Sequence, residues 1–411
     1  MVKKLKIDGE FKKAYPVLEK IWGAGFEAYY VGGSVRDRLL GLEVNDVDIA
    51  TSAHPYEIKD IFSRTVDVGI EHGTVLVLAE EREYEITTFR TESTYKDFRR
   101  PDSVTFVRSL TEDLKRRDFT MNAIAMDEEG LLQDPFGGLK DIENEIIRAV
   151  GNPHERFNED ALRMMRAVRF AAQLDFRIEE ETMISIKENA HLLEKIAIER
   201  IQIEFEKLLT GSWRQKGLEA MLSTNLYQYC PGLAEEKKAL EALIEDQESF
   251  EDAESAWAML AYQISRENHL DIFNDRKFLV KWKLSNKKIK KTRKLLYGLK
   301  NRIKSGMIEP LEIFNLGIED ALKVESLMNH LGEETKVEEL EKIYQDLVIK
   351  DPDELAIRGQ DLMQISAKKA GPWLGEALTY ALESVVCGRV INEKQKIIGF
   401  LNEHNKIPDK I

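Results

Sequence analysis

The stretch from Tyr29 to Thr51, YYVGGSVRDRLLGLEVNDVDIAT, constrains this chain more than any other. It reads as a strand, a Gly-Gly turn, a short helix and a second strand. Gly32 and Gly33 end an apolar run and Arg36 lies in the first turn of the helix, a geometry in which backbone N–H groups and a guanidinium approach phosphates. In the second strand Asp46, Val47, Asp48 and Ile49 alternate polar with apolar, so both carboxylates leave one face while Val47 and Ile49 enter a core. Two neighbouring carboxylates repel each other and gain nothing from packing. A divalent cation between them removes the conflict, and oxygen-only ligands select Mg²⁺ or Mn²⁺. Phosphate beside metal points to a nucleoside triphosphate. A lone Gly-Gly turn or a lone Asp-X-Asp is weak; their close succession is specific.

The chain has 411 residues, 43% hydrophobic and 33% charged, which allows a sizeable core and about two to four domains. No apolar run reaches bilayer-spanning length, and the N-terminal MVKKLKIDGEFKK lacks the apolar stretch of a signal peptide, so a cytoplasmic protein is expected. Cys230 and Cys387 lie far apart beside apolar residues and read as buried free thiols without a redox role. A net charge of −14 argues at first against a nucleic-acid partner. Its distribution argues otherwise. From Arg276 to Lys304 the sequence RKFLVKWKLSNKKIKKTRKLLYGLKNRIK contains no acid, while acids crowd Glu235 to Glu254. A basic RNA-facing surface and a solvated helix face both fit this stretch.

Phe11 to Ala24 has the pattern of an amphipathic helix, Glu27 to Val31 that of a strand, and Pro55 to Phe62 that of a helix with Pro55 in its first turn. Thr74 to Ala79 and Tyr84 to Arg90 read as an antiparallel pair, in which Glu85 offers a third carboxylate or is simply solvated. Thr91 to Ser103 is polar, aperiodic and longer than a plain connection requires. Leu110 to Asp118 reads as a helix entering RRDFTMNAIAMD, with a strand from Met121 to Met126, a short strand at Leu131 and Leu132, and the turn DPFGG. After Pro153 the strand signals end. Glu159 to Leu174, EDALRMMRAVRFAAQL, is expected to be one helix with Leu162, Met165, Val168 and Ala172 on its buried stripe. Asp160, Arg163, Arg166 and Arg169 follow at i,i+3 steps on another side, which by itself is an ordinary solvated ion-pair pattern.

GGSVRDRLLG followed by NDVDIAT resembles the head of the class II tRNA nucleotidyltransferases, the superfamily of CCA-adding enzymes and bacterial poly(A) polymerases. The resemblance implies an α+β chain: a polymerase-beta-like nucleotidyltransferase head (1–150), then an all-helical neck (151–210), body (211–305) and tail (306–411). It strengthens Glu85 as a catalytic acid beside Asp46 and Asp48. It marks Arg117, in RRDFT, as a contact of the incoming nucleotide, with Arg116 and Asp118 as structural neighbours. Glu159, Asp160 and Arg163 match the family's EDxxR motif, and Arg166 and Arg169 also line its nucleotide site. Cytosine and adenine each present an amino donor beside a ring-nitrogen acceptor. Asp160 accepts from the first and Arg163 donates to the second, whereas uracil and guanine reverse the order. Glu159 is assigned to orienting the helix, and Ile198 to Leu209 resembles the helix that braces the reader.

Near the C-terminus LAIRGQDLM and AGPWLGEAL look like tail motifs of CCA-adding enzymes of the Firmicute type. The implied activity is addition of C, C and A to a tRNA 3′ end from CTP and ATP without a nucleic-acid template, releasing pyrophosphate, with Mg²⁺ held by Asp46 and Asp48. The partners implied are tRNA, through its 3′ end and acceptor/T arm, and the two nucleotides; neither a membrane nor a protein partner is required. The loop 91–103, with Asp97, Arg99 and Arg100, is where the family switches from C to A. The rivals are a poly(A) polymerase, a CC-adding or A-adding member, and last a non-enzymatic RNA-binding protein, which has no use for Asp46 and Asp48. No His-Asp phosphohydrolase signature is visible, so no added phosphatase activity is expected.

Overall fold

The computed structural model describes residues 4–79, 81–92, 104–267, 274–306, 309–366 and 370–408. The expected C-to-A switch at Asp97, Arg99 and Arg100 lies outside the described residues. Two compact units form: Met1–Glu245 with Val280–Leu284, and Asp246–Leu279 with Ser285–Ile411. The division falls within residues 211–305.

The first unit opens with α1 (Gly9–Gly23), β1 (Ala28–Val31), α2 (Gly33–Leu39), β2 (Asp48–Thr51) and α3 (Pro55–Ile61). Strands β3 (Thr65–Gly69), β4 (Thr74–Ala79), β5 (Arg82–Thr88), β6 (Arg90–Glu92) and β7 (Val104–Phe106) follow, then α4 (Leu110–Lys115), β8 (Ala125–Met126), β9 (Leu132–Gln133) and α5 (Gly138–Glu143). Seven strands make one mixed sheet in the order β3-β4-β5-β2-β1-β8-β9, with β2 and β5 its parallel neighbours. Helix α1 packs its apolar stripe on the sheet: the Phe11 and Tyr30 rings meet edge-on at 5.1 Å, and the Tyr30 hydroxyl donates to the Phe11 carbonyl at 2.8 Å. The strand expected from Met121 to Met126 contracts to β8, because Thr120–Asn122 forms a 3₁₀ turn that carries the chain off Asp118. Val31, Ala50, Phe89, Leu114, Ala123, Ala125 and Val150 close the core beneath the site.

The helical part of this unit comprises α6 (Pro153–Glu159), α7 (Leu162–Leu174), α8 (Glu180–Asn189), α9 (Ile198–Leu209), α10 (Arg214–Ser223) and α11 (Lys237–Glu245). The single helix expected from Glu159 is broken. Asp160 has extended backbone (φ −139°), and its carboxylate accepts the Leu162 N–H at 3.0 Å, so it ends α6 and starts α7. Helix α7 is held closely by α10, where a Cβ on Gly217 would stand 2.6 Å from the Val168 carbonyl.

The second unit is helical among its described residues: α12 (Ala253–Glu267), α13 (Asp275–Lys281), α14 (Asn286–Ser305), α15 (Pro310–Leu316), α16 (Ile318–His330), α17 (Val337–Asp346), α18 (Gly359–Ser366), α19 (Pro372–Val386) and α20 (Lys394–Glu403). The acid-free stretch runs from α13 into α14, and acids outside it come to meet part of α14. Lys294 reaches Asp320 at 3.0 Å, Arg293 reaches Asp275 at 2.8 Å, and buried Arg302 meets buried Glu325 at 2.7 Å. Lys287, Lys290 and Lys304 stay exposed on α14, as does Tyr297, which is 66% exposed. No helix among the described residues is long and apolar enough to cross a membrane. Cys230 is buried and Cys387 half-buried, both as free thiols.

Candidate active site

Strand geometry brings the acids to one edge of the head. Asp46 and Asp48 are exposed while Val47 and Ile49 are buried, although the hydrogen-bonded strand begins only at Asp48. The parallel register pairs Ile49 with Ile86, so Glu85 precedes that pair on β5 and leaves the same face as Asp48. Among the described residues no three His, Cys, Asp or Glu side chains converge as a metal site. Glu85 is exposed on β5, one strand from Asp48. Asp48 is exposed at the sheet edge, yet protein surrounds much of its carboxyl. That burial, followed by the charge of Asp46, pushes its carboxyl pKa up against the opposing pull of Arg117. A pair of hard, mutually repelling carboxylates suits a small divalent ion that fills other positions with water and substrate phosphate.

Gly32 ends β1 with φ +73°, and a Cβ there would stand 3.1 Å from Arg117 Nη1 and 3.4 Å from Asp48 Oδ2. Glycine is required for both the left-handed backbone and the space. Gly32→Ala is expected to cost about 1–2 kcal/mol of stability and to weaken nucleotide binding, readable by urea unfolding and nucleotide titration; an unchanged affinity contradicts this placement.

A cavity of about 540 Å³ opens beside this turn, lined by seven arginines and one lysine against three aspartates. Each element supplies a part. Gly32, Gly33 and Arg36 come from the turn and α2, Asp48 from β2, Arg116, Arg117 and Asp118 from the end of α4, Arg163, Arg166 and Arg169 from α7, and Arg200 and Lys207 from α9. The arginines are held from behind. Arg36 donates Nη1 to Asn122 at 2.7 Å and Nη2 to Asp37 at 2.7 Å. Buried Asp118 accepts Arg166 Nε at 2.6 Å and Asn122 Nδ2 at 3.0 Å. Arg169 Nε lies 2.6 Å from Glu204 Oε2. Arg36, Arg166 and Arg169 also surround the Phe170 ring, with guanidinium carbons 4.8, 5.4 and 3.6 Å from its centroid.

This crowding is electrostatically costly without an anion. Burial, with the charges of Arg166 and Arg36 adding to it, pushes the Arg169 pKa down to about 10, against the pull of Glu204. Arg169 still carries its charge at neutral pH. Arg117 Nε is buried and has no hydrogen-bond acceptor among the described residues. A phosphate oxygen is the kind of acceptor that Arg117 Nε lacks.

The pair expected to read the base, Asp160 and Arg163, differs from expectation in its geometry. Asp160 and Arg163 are not two side chains on one continuous helix surface, because Asp160 sits in the break before α7. Asp160 is clamped by Arg200, Nη2 to Oδ2 at 2.7 Å and Nη1 to Oδ1 at 3.3 Å. Arg163 is buried, donating Nη1 to Glu159 Oε2 at 2.8 Å and Nη2 to the Arg116 carbonyl at 2.8 Å. Glu159 thus orients Arg163 directly. Both Asp160 and Arg163 nevertheless line the same cavity as Asp48.

Sequence reasoning missed Arg200, Lys207, Phe170 and Asp113. Arg200 and Lys207 are seven apart on α9 with Glu204 between them, a polar stripe on a helix whose other face is buried, and that spacing was the available signal. Asp113 gave none, since an acid beside two arginines reads as a surface pair.

Residues 28–148 match the poly A polymerase head domain, 175–237 the RNA and SrmB-binding site of polymerase A, and 248–401 the tRNA nucleotidyltransferase domain 2. The CCA-adding enzyme of Enterococcus faecalis is 50% identical over 405 residues, 98% of each chain. That of Ligilactobacillus salivarius is 51% identical over 393 residues, 95% of this chain and 96% of its own. The crystal structure of the Bacillus stearothermophilus CCA-adding enzyme in complex with CTP shares 42% identity, covers 97% of this chain and 98% of its own, and superposes with a TM-score of 0.89. The chain therefore belongs to the family of CCA-adding enzymes, nucleotidyltransferases built on a poly(A) polymerase head.

Proposed function

We propose that this protein adds C, C and A to the 3′ end of tRNA from CTP and ATP, without a nucleic-acid template, in the cytoplasm. The convergence of Asp48, the Gly32 turn, the arginines of α7 and the Asp160–Arg163 pair on one cavity carries the reading. Asp46 and Asp48 hold Mg²⁺, which when bound supplies activation of the tRNA 3′-hydroxyl and charge compensation on the departing pyrophosphate. Glu85 adds negative charge to that edge of the sheet from the neighbouring strand. The 3′-oxygen forms its bond to the α-phosphorus as the bond to pyrophosphate breaks, so no covalent enzyme intermediate is needed.

The chain's own residues do the positioning. Gly32 and Gly33 admit the triphosphate close to the backbone, and Arg36, Arg117, Arg166 and Arg169 neutralise it. Asp160 accepts from the amino group of C or A while Arg163 donates to the ring nitrogen. Uracil and guanine set like against like at both points and are rejected. Incubation with tRNA lacking its 3′ end plus labelled CTP and ATP, followed by sequencing of the product, tests the proposal. Addition of CCA and no more supports it; long A tails, or products ending at CC, overturn it.

The exposed lysines of α14 support tRNA binding. Replacing Lys287, Lys290 and Lys304 by Gln is expected to weaken tRNA binding and to flatten its salt dependence by about one unit of log–log slope for each phosphate no longer neutralised. A slope that stays at the wild-type value means these lysines face only solvent.

A further inference from the structure

Arg117 spans two carboxylates of different kinds. One is Asp113, fully buried on α4, whose Oδ2 accepts Arg117 Nη2 at 3.2 Å. The other is Asp48: its Oδ2 and Arg117 Nη1 flank the same point above Gly32, at 3.4 and 3.1 Å from the place a Cβ would take. Asp113 also holds Arg116, Nε to Oδ1 at 2.9 Å, and the Arg116 carbonyl receives Arg163 Nη2 at 2.8 Å. Two guanidiniums thus share the Asp113 carboxylate. The Arg117 guanidinium can also face a substrate phosphate or Asp48, and the two destinations have opposite consequences. An Arg117 that closes onto Asp48 neutralises a metal ligand.

We infer that Asp113 is a positioning residue that holds the Arg117 guanidinium off Asp48, leaving Asp48 to a divalent cation and Arg117 to the triphosphate. The inference rests on the proposed role of Asp48 as a metal ligand. With the charge of Asp113 removed, Asp48 is an acid lining the same cavity to which Arg117 can turn. A role confined to holding α4 together predicts lower stability and nothing specific to metal.

Direct Mn²⁺ binding, followed by electron paramagnetic resonance in the absence of nucleotide and tRNA, separates these. Asp113→Asn is expected to weaken Mn²⁺ binding about tenfold, the size of effect one nearby opposite charge has on a partly buried carboxylate. In an Arg117→Gln background the same substitution is expected to change Mn²⁺ binding little, since Asp113 acts through Arg117. Undiminished Mn²⁺ binding by Asp113→Asn overturns the inference, as does a loss that persists in full without Arg117. If Asp113→Asn fails to fold, Asp113→Asn with Arg116→Gln carries one half-buried cation fewer and is read in the same way. Wild-type Mn²⁺ binding that Asp48→Asn leaves unchanged refutes the metal assignment itself. Binding that depends on Asp48 but not on Asp113 refutes only the positioning role.

Discussion

Asp48→Asn is expected to cut nucleotide transfer by about a thousandfold or more while leaving the fold and the arginine-lined cavity in place. The substitution preserves shape and removes a charge from one of two proposed metal ligands. Several kcal/mol of charge stabilisation at the reacting phosphate corresponds to a rate loss of about a thousandfold or more. Nucleotide binding falls much less, because Arg36, Arg117, Arg166 and Arg169 remain. The same variant is expected to be at least as stable as wild type at neutral pH. Burial and Asp46 raise the Asp48 pKa in the folded state, so the ionised carboxylate disfavours folding once the pH exceeds the unfolded value of about 3.9. That penalty grows up to the folded pKa and is constant above it. The melting-temperature gain of Asp48→Asn should therefore be present at pH 7 and vanish below about pH 4. Single-turnover transfer and thermal unfolding at the two pH values check both halves. Near wild-type transfer sinks the metal assignment, and a variant less stable at pH 7 contradicts the electrostatic account of the site.

The second large effect is on choice of base. Asp160→Ala and Arg163→Ala each remove one of the two hydrogen-bonding groups proposed to distinguish C and A from U and G. Hydrogen bonds to charged groups contribute about 1.5–3 kcal/mol, so each substitution should reduce discrimination by about ten- to a hundredfold. The clamp from Arg200 holds the carboxylate of Asp160 with both oxygens engaged. Arg200→Gln should therefore produce a weaker version of the Asp160→Ala phenotype, since the carboxylate is still present but no longer fixed in place. Competition between CTP and UTP, and between ATP and GTP, measures it. Selectivity that survives in both Asp160→Ala and Arg163→Ala refutes base reading by this pair.

The sequence by itself determined the head and the chemistry it can carry. Local geometry is enough to say that alternating Asp46, Val47, Asp48 and Ile49 expose two acids on one face, and that Gly32 marks a tight approach. The family resemblance implied a helix over Ile198–Leu209, and α9 has those bounds. Periodicity failed at Asp160, because a short side chain that caps the next helix looks in sequence like any residue within a helix; only the Leu162 N–H it accepts reveals the break. It also overstated the isolation of the basic stretch, since Asp275, Asp320 and Glu325 reach α14 from outside it.

What only the tertiary structure decided is which charges face one another. Asp113 and Arg163 belong to different elements, joined through a main-chain carbonyl that no side-chain pattern encodes. Arg200 meets Asp160 across 40 residues, and Arg166 meets Asp118 across 48. Hydrophobic pattern is a property of neighbours along the chain and can be read from their spacing. Coulomb interaction and hydrogen bonding depend on distance in space, so the bracing that turns a set of arginines into an oriented site exists only once the helices have packed against the sheet.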